Sequence, residues 1–191
     1  MEGHAYMTYA YDLRHWATVA EFDTHLHRHD PIATAPWARG VVLHHTWRPL
    51  PSQWNGAITM NAMSSRYEAM GWRGGPHLFL VIGGRNPELD GIWQMCPLNV
   101  PGIHCSSLIG NAQMWGIEVV GEYDSRPWPD DVHRLVRATT LALMNWRGIA
   151  VDATTLKGHR EYPAAKKTCP GRSINLDAVR YEFAAYQQGK S

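Results

Sequence analysis

The chain has 191 residues, 45% of them hydrophobic and 18% charged, which is enough for one soluble domain with a sizeable core. A formal net charge of +1 excludes the electrostatic footprint expected of a nucleic-acid binder or of a protein held on an acidic membrane. Three cysteines, Cys96, Cys105 and Cys169, are too few for a disulfide framework, and Cys96 and Cys105 are expected as reduced thiols.

The first residues, Met1 to Tyr6, show no basic segment followed by an apolar run. No signal peptide is therefore expected, and no apolar run is long enough to span a membrane. The reading is of a protein made and kept in a cytoplasm. Residues 1–37 read as an N-terminal extension, partly helical, with Leu13, Trp16, Val19, Ala20 and Phe22 forming a rough apolar face between Asp12 and Leu26. His25, His27 and His29 alternate just after it, in what reads as a polar connector closed by Pro31 and Pro36.

The domain proper is expected over 38–191. Gly40 to Thr46 reads as a strand. Successive side chains on a strand point to opposite faces, so His44 and His45 cannot both face one site. Ile58 to Trp72 reads as a helix, with Met60, Met63, Tyr67 and Met70 as core filling. Strands are expected at His77–Ile82, Ile92–Cys96 and Met114–Val120. Glu118 stands in the last of these among apolar neighbours, where a carboxylate is either paired or functional.

The clearest helix starts between Pro127 and Asp131 and ends at Gly148, with Val132, Leu135, Val136, Thr139, Leu143 and Trp146 at helical spacing. Ile149 to Leu156 reads as a short connection with strand or turn character, and Lys157 to Gly171 as a loop punctuated by Pro163 and Pro170. Ser173 or Asn175 caps a last amphipathic helix through Leu176, Val179, Phe183 and Tyr186. The order implies an α/β fold: a single domain with a mixed central β-sheet flanked by α-helices.

Eleven histidines are many for this length and fit metal chemistry. His159 and Cys169 lie ten residues apart in the loop, and both are good zinc ligands. With His44 or His45 they make a set of three, leaving one position open for chemistry. Glu118 is the candidate general base and Lys167, two residues before Cys169, the candidate stabiliser of an oxyanion.

Five blocks in order carry a resemblance over roughly residues 38–172. They are Val41-Val42-Leu43-His44-His45-Thr46, Gly75-Pro76-His77-Leu78-Phe79, Gly102-Ile103-His104, Gly116-Ile117-Glu118-Val119-Val120-Gly121, and Gly158-His159 through Cys169-Pro170-Gly171. They resemble the type-2 N-acetylmuramoyl-L-alanine amidases. That superfamily includes phage lysozyme-like amidases, cytoplasmic recycling amidases and animal peptidoglycan recognition proteins. The resemblance implies a zinc enzyme, one ion per chain, that cuts the amide between N-acetylmuramic acid and the L-alanine of the stem peptide. It implies His44, His159 and Cys169 as ligands, Glu118 as base, and Lys167 as the lysine beside the last ligand. Many phage and animal members carry a catalytic Tyr where this chain has Pro76, which leaves the base role to Glu118. His77 and His104 sit on recurrent positions and are candidates for the pocket lining or for support of the ligands, as are His45 and Trp72.

The blocks are most similar to phage endolysin amidase domains, which accumulate in the host cytoplasm and reach the wall after release. The expected partner is a peptidoglycan substrate, with no nucleic acid, no membrane insertion and a monomeric state. Two alternatives stand beside this. The ten-residue His159–Cys169 spacing and Glu118 are like the recycling branch, which acts on soluble anhydro-muropeptides. A peptidoglycan-binding module without catalysis is the other, but such proteins typically lose a ligand.

Overall fold

The computed structural model describes residues 9–189, so the Met1–Tyr6 stretch read for a leader lies outside the described residues. Six strands, β1 (Arg14–Trp16), β2 (Gly40–His45), β3 (Leu78–Val81), β4 (Gly91–Gln94), β5 (Met114–Val119) and β6 (Leu156–Gly158), form one sheet in the order β1-β4-β3-β5-β2-β6. The pairs β3/β5, β5/β2 and β2/β6 are parallel, and β3/β4 and β4/β1 antiparallel, giving the mixed sheet expected. The helices are α1 (Val19–Leu26), α2 (Pro31–Thr34), α3 (Ala57–Ala69), α4 (Leu108–Gln113), α5 (Asp130–Arg147) and α6 (Leu176–Gln187).

Strand parity sorts the side chains. Val41 and Leu43 of β2, with Trp115, Ile117 and Val119 of β5, belong to one continuous apolar core that takes in Val136 and Leu143 of α5, Phe22 of α1 and Phe183 of α6. The alternate residues face the other way. There Phe79, Val81, Trp93 and Val120 pack with Met60 of α3 in a smaller cluster, and Met63 and Tyr67 lie against it. Of the expected methionine stripe only Met60 is fully buried, and Met70 is exposed just past the helix.

The N-terminal region departs from the helix expected over Asp12–Leu26. Arg14–Trp16 is instead an edge strand on β4, and the helix begins at Val19. Thr18 sets that start: its hydroxyl accepts from Glu21 N and the Glu21 carboxylate accepts from Thr18 N, a reciprocal cap. His25 is in α1 and lies 5.3 Å from His29, while His27 bonds the Asp23 carbonyl, so the three do not converge as their alternation suggested. The segment is thus built into the one sheet.

Helix α5 runs as expected, with Val132, Leu135, Val136, Thr139, Leu143 and Trp146 all buried and Gly148 past its end. Asn175, rather than Ser173, caps α6 by accepting from Asp177 N and Ala178 N. Two short elements add to the expectation. One is α4, in a stretch for which no element was named. The other is β6, whose three residues pair with Val41–Leu43 and begin at Leu156, the end of the connection read with strand or turn character. Cys96 and Cys105 are free and buried.

Candidate metal centre

The site forms where the parallel strands end, the usual place for ligands in open α/β sheets. His44 is the fifth residue of β2, Glu118 the fifth of β5, and the two are register partners. Pairing of β6 with β2 then delivers His159, the first residue after β6, to the same end. The loop returns Cys169 beside them. The ligand atoms of His44, His159 and Cys169 all lie within 4.8 Å of one another, the one such group among the described residues. His45 is not in it, as parity requires.

The donor set fits a zinc ion. Two imidazoles and a thiol are ligands that zinc favours, and bonds of about 2.0–2.3 Å need ligand atoms roughly 3.3–3.8 Å apart, which a group lying within 4.8 Å reaches with a small contraction at most. One more observation fits a cation held here. Glu118 Oε2 is buried without a hydrogen-bond partner, and Oε1 lies 4.0 Å from His44 Nδ1. Burial pushes the Glu118 carboxyl up to about 8, against the pull of Lys167. Burial also holds the His44 and His159 imidazoles below their ordinary value, so both are neutral and able to ligate at pH 7. The Cys169 thiol is pushed up to about 11, first by burial and then by Glu118.

The hydrogen bonds assign the His44 tautomer. The Met114 carbonyl only accepts, so His104 Nε2, 2.9 Å away, carries a proton and His104 Nδ1 is an acceptor. His44 Nε2, 3.1 Å from that Nδ1, therefore donates, leaving the His44 Nδ1 lone pair on the side of Glu118. A Cβ at Gly116 would meet the His104 ring at 2.5 Å, so only glycine on β5 lets this ring lie there. His77 is fully buried and has both nitrogens bonded to backbone: Nε2 to the Val100 carbonyl, Nδ1 from Gly116 N. It ties the strand ends together and does not line an open pocket. Trp72 stacks on Tyr67 at 4.8 Å. Tyr67, read from sequence only as core, is held above its usual range by burial and then by Glu118. His45 Nδ1 accepts from Tyr123 N, on the far side of β2 from His44.

Several supporting residues carried no signal in the sequence. Ser106 reaches His159 Nε2 through its N–H at 3.1 Å and its hydroxyl at 3.2 Å. Asn111 of α4 accepts from His104 N and Cys105 N and donates to the Cys105 carbonyl, fixing the segment that carries His104. Arg160 accounts for the course of the Cys169 loop. Its guanidinium donates to the carbonyls of Thr168, Gly171 and Ile174, and its N–H to that of Cys169. Side chain–backbone ties of this kind leave no periodic mark. The adjacency of Arg160 to His159 is the one hint the sequence offered.

An α/β sheet bearing a His, His, Cys group and a buried carboxylate at its carboxyl edge defines a hydrolase-like centre. Residues 33–172 match the family model described as N-acetylmuramoyl-L-alanine amidase, and the chain belongs to that family. Solved structures agree on the fold. The N-acetylmuramoyl-L-alanine amidase LysC from Clostridium intestinale is 21% identical, with a TM-score of 0.56 over 76% of this chain and 85% of that one. Staphylococcus aureus hydrolase AmiA, solved with its ligand, is 14% identical, with a TM-score of 0.58 over 98% of this chain and 83% of that one. Apis mellifera PGRP-SA is 15% identical, with a TM-score of 0.56 over 75% and 82%. No curated protein matches the sequence.

Proposed function

We propose that this protein is a zinc-dependent N-acetylmuramoyl-L-alanine amidase that cleaves the bond between N-acetylmuramic acid and L-alanine in peptidoglycan. The observation that carries the reading is the convergence of His44, His159 and Cys169 beside the unpartnered carboxylate of Glu118. His44, His159 and Cys169 hold the ion, which when bound supplies Lewis acidity that acidifies water and polarises a carbonyl.

The remaining work falls to the chain. Glu118 takes the proton from the attacking water and returns it to the leaving amine. Burial raises its pKa, which suits the return of the proton to the leaving amine. The Lys167 ammonium stabilises the oxyanion. His104 keeps the His44 ring in the tautomer that ligates.

The role proposed is lytic, that of a phage endolysin: a monomer held in the host cytoplasm until a separate permeabilising protein lets it reach the wall. No helix among the described residues is long and apolar enough to cross a membrane. A second reading, turnover of soluble anhydro-muropeptides, draws support from the ten-residue spacing between His159 and Cys169 and from Glu118. Hydrolysis of purified sacculi and of soluble anhydro-muropeptides, each with and without chelator, separates the two. Chelator-sensitive release of L-alanine amino termini from sacculi supports the lytic role. Cleavage confined to the soluble substrate supports recycling, and cleavage of neither removes both.

A further inference from the structure

Ser106 addresses one nitrogen of His159 twice. Its backbone N–H donates to Nε2 at 3.1 Å, and its hydroxyl oxygen lies 3.2 Å from the same atom. No hydrogen bond reaches His159 Nδ1 from the described residues, so Nδ1 is the nitrogen left for an ion. Resting on the zinc amidase reading, we propose that Ser106 is the positioning residue of this second histidine ligand, and that its contact with the ring changes when zinc binds. In the metal-free chain the Ser106 N–H keeps the ring proton on Nδ1. In the zinc-loaded chain the Ser106 hydroxyl accepts from Nε2–H and leaves the Nδ1 lone pair to the ion.

The two contacts belong to different tautomers. A neutral imidazole has one N–H and one acceptor nitrogen. When Nε2 accepts from the Ser106 N–H, the proton is on Nδ1 and no lone pair remains there for a metal. When the proton is on Nε2, the backbone N–H has lost its acceptor and only the hydroxyl oxygen can serve the ring. Ser106 suits both states because it carries a donor and an acceptor side by side. His44 differs. Its partner His104 is fixed by the Met114 carbonyl and offers only an acceptor, so His44 keeps one tautomer. The two ligand rings have their centroids 4.8 Å apart, and each has Nε2 held by the protein.

Neighbouring bonds hold Ser106 in place. The two preceding amides, His104 N and Cys105 N, both donate to Asn111 Oδ1, and Asn111 Nδ2 donates to the Cys105 carbonyl. On the following side the Ser107 hydroxyl accepts from Gly110 N. This turn is pressed against the segment that carries His159: a Cβ at Gly110 would lie 2.9 Å from the Tyr162 hydroxyl and 2.6 Å from Cys105 Sγ. The approach to His159 is thus imposed by the backbone. His159 is buried while Ser106 is exposed, so the hydroxyl can be removed without opening the core.

The test reads the ring and the metal rather than turnover. Long-range proton–nitrogen correlation NMR of the wild type is expected to show His159 protonated on Nδ1 without metal and on Nε2 with zinc. Zinc affinity, read by chelator competition, is expected to fall about 10–100-fold in Ser106→Ala, which keeps the N–H and loses the acceptor. Ser106→Thr, which keeps the hydroxyl, is expected to restore it, with circular dichroism as the check on folding. Ligation through Nε2 in the zinc-loaded wild type, or one tautomer with and without zinc, would overturn the proposal. So would wild-type zinc affinity in Ser106→Ala, or a Ser106→Thr as weak as Ser106→Ala. If Ser106→Ala does not fold, the wild-type spectra decide alone. Failure of the amidase reading shows separately. The expected spectra and affinities without cleavage of any muropeptide would keep the role of Ser106 and remove the amidase, whereas a wild type that binds no zinc would remove both.

Discussion

The two faces of the sheet obey different rules although they are made of the same strands. The face under α5 is apolar without interruption: odd positions of β2 and β5 meet Val136 and Leu143, and the α1 and α6 anchors Phe22 and Phe183 close it. The face under α3 is apolar for only part of its area and gives the rest to His44, His104 and Glu118, one of whose oxygens has no partner. Helix α3 buries only Met60 and Ser64, whereas α5 buries nine residues. The difference shows that one face makes the fold while the other spends stability on a polar cluster, as functional sites do.

That contrast yields tests in descending size. Glu118→Gln should leave the fold and the metal in place and lower the rate by about 10²–10⁴-fold, the worth of a general base. A single-turnover rate near wild type would move the base elsewhere. On the opposite face, Leu143→Ala should cost about 2–5 kcal/mol in urea unfolding with kcat unchanged in the folded fraction. A large kcat loss there would break the division between the faces. His104→Phe removes the acceptor that orients His44 and should weaken zinc affinity by about 10–100-fold, read by chelator competition.

A separate effect is in the pH dependence of the metal-free protein. Burial raises the Glu118 carboxyl from its ordinary 4.5 to about 8, so across that window the folded chain keeps a proton the unfolded chain has released. Stability from this group is therefore full below about pH 4.5 and is lost as the pH rises to about 8. Glu118→Gln should flatten that part of the profile, and an unchanged slope would show that the carboxylate is not buried as described.

Much of this was legible in the residues. Parity alone set His44 and His45 on opposite faces, and register with Glu118 shows which of them belongs to the site. The α5 pattern was readable because its apolar residues recur at one period over 18 residues. Short elements were not. Arg14–Trp16 shares the spacing of a helical face with Val19 and Ala20, and only pairing with β4 makes it a strand. Leu156–Gly158 has three residues and no alternation to read, yet it sets the place of His159. The Arg160 and Asn111 ties run from side chain to backbone, and no spacing rule reveals a carbonyl's position.

The central claim is that His44, His159 and Cys169 hold one metal ion. The direct measurement is zinc content per chain for the wild type and for Cys169→Ala, after dialysis against a weak chelator, with circular dichroism as the check on folding. One equivalent in the folded wild type and none in the folded variant is the predicted result. Zinc below a tenth of an equivalent in the wild type (~0.1), or an equal content in both proteins, would contradict it.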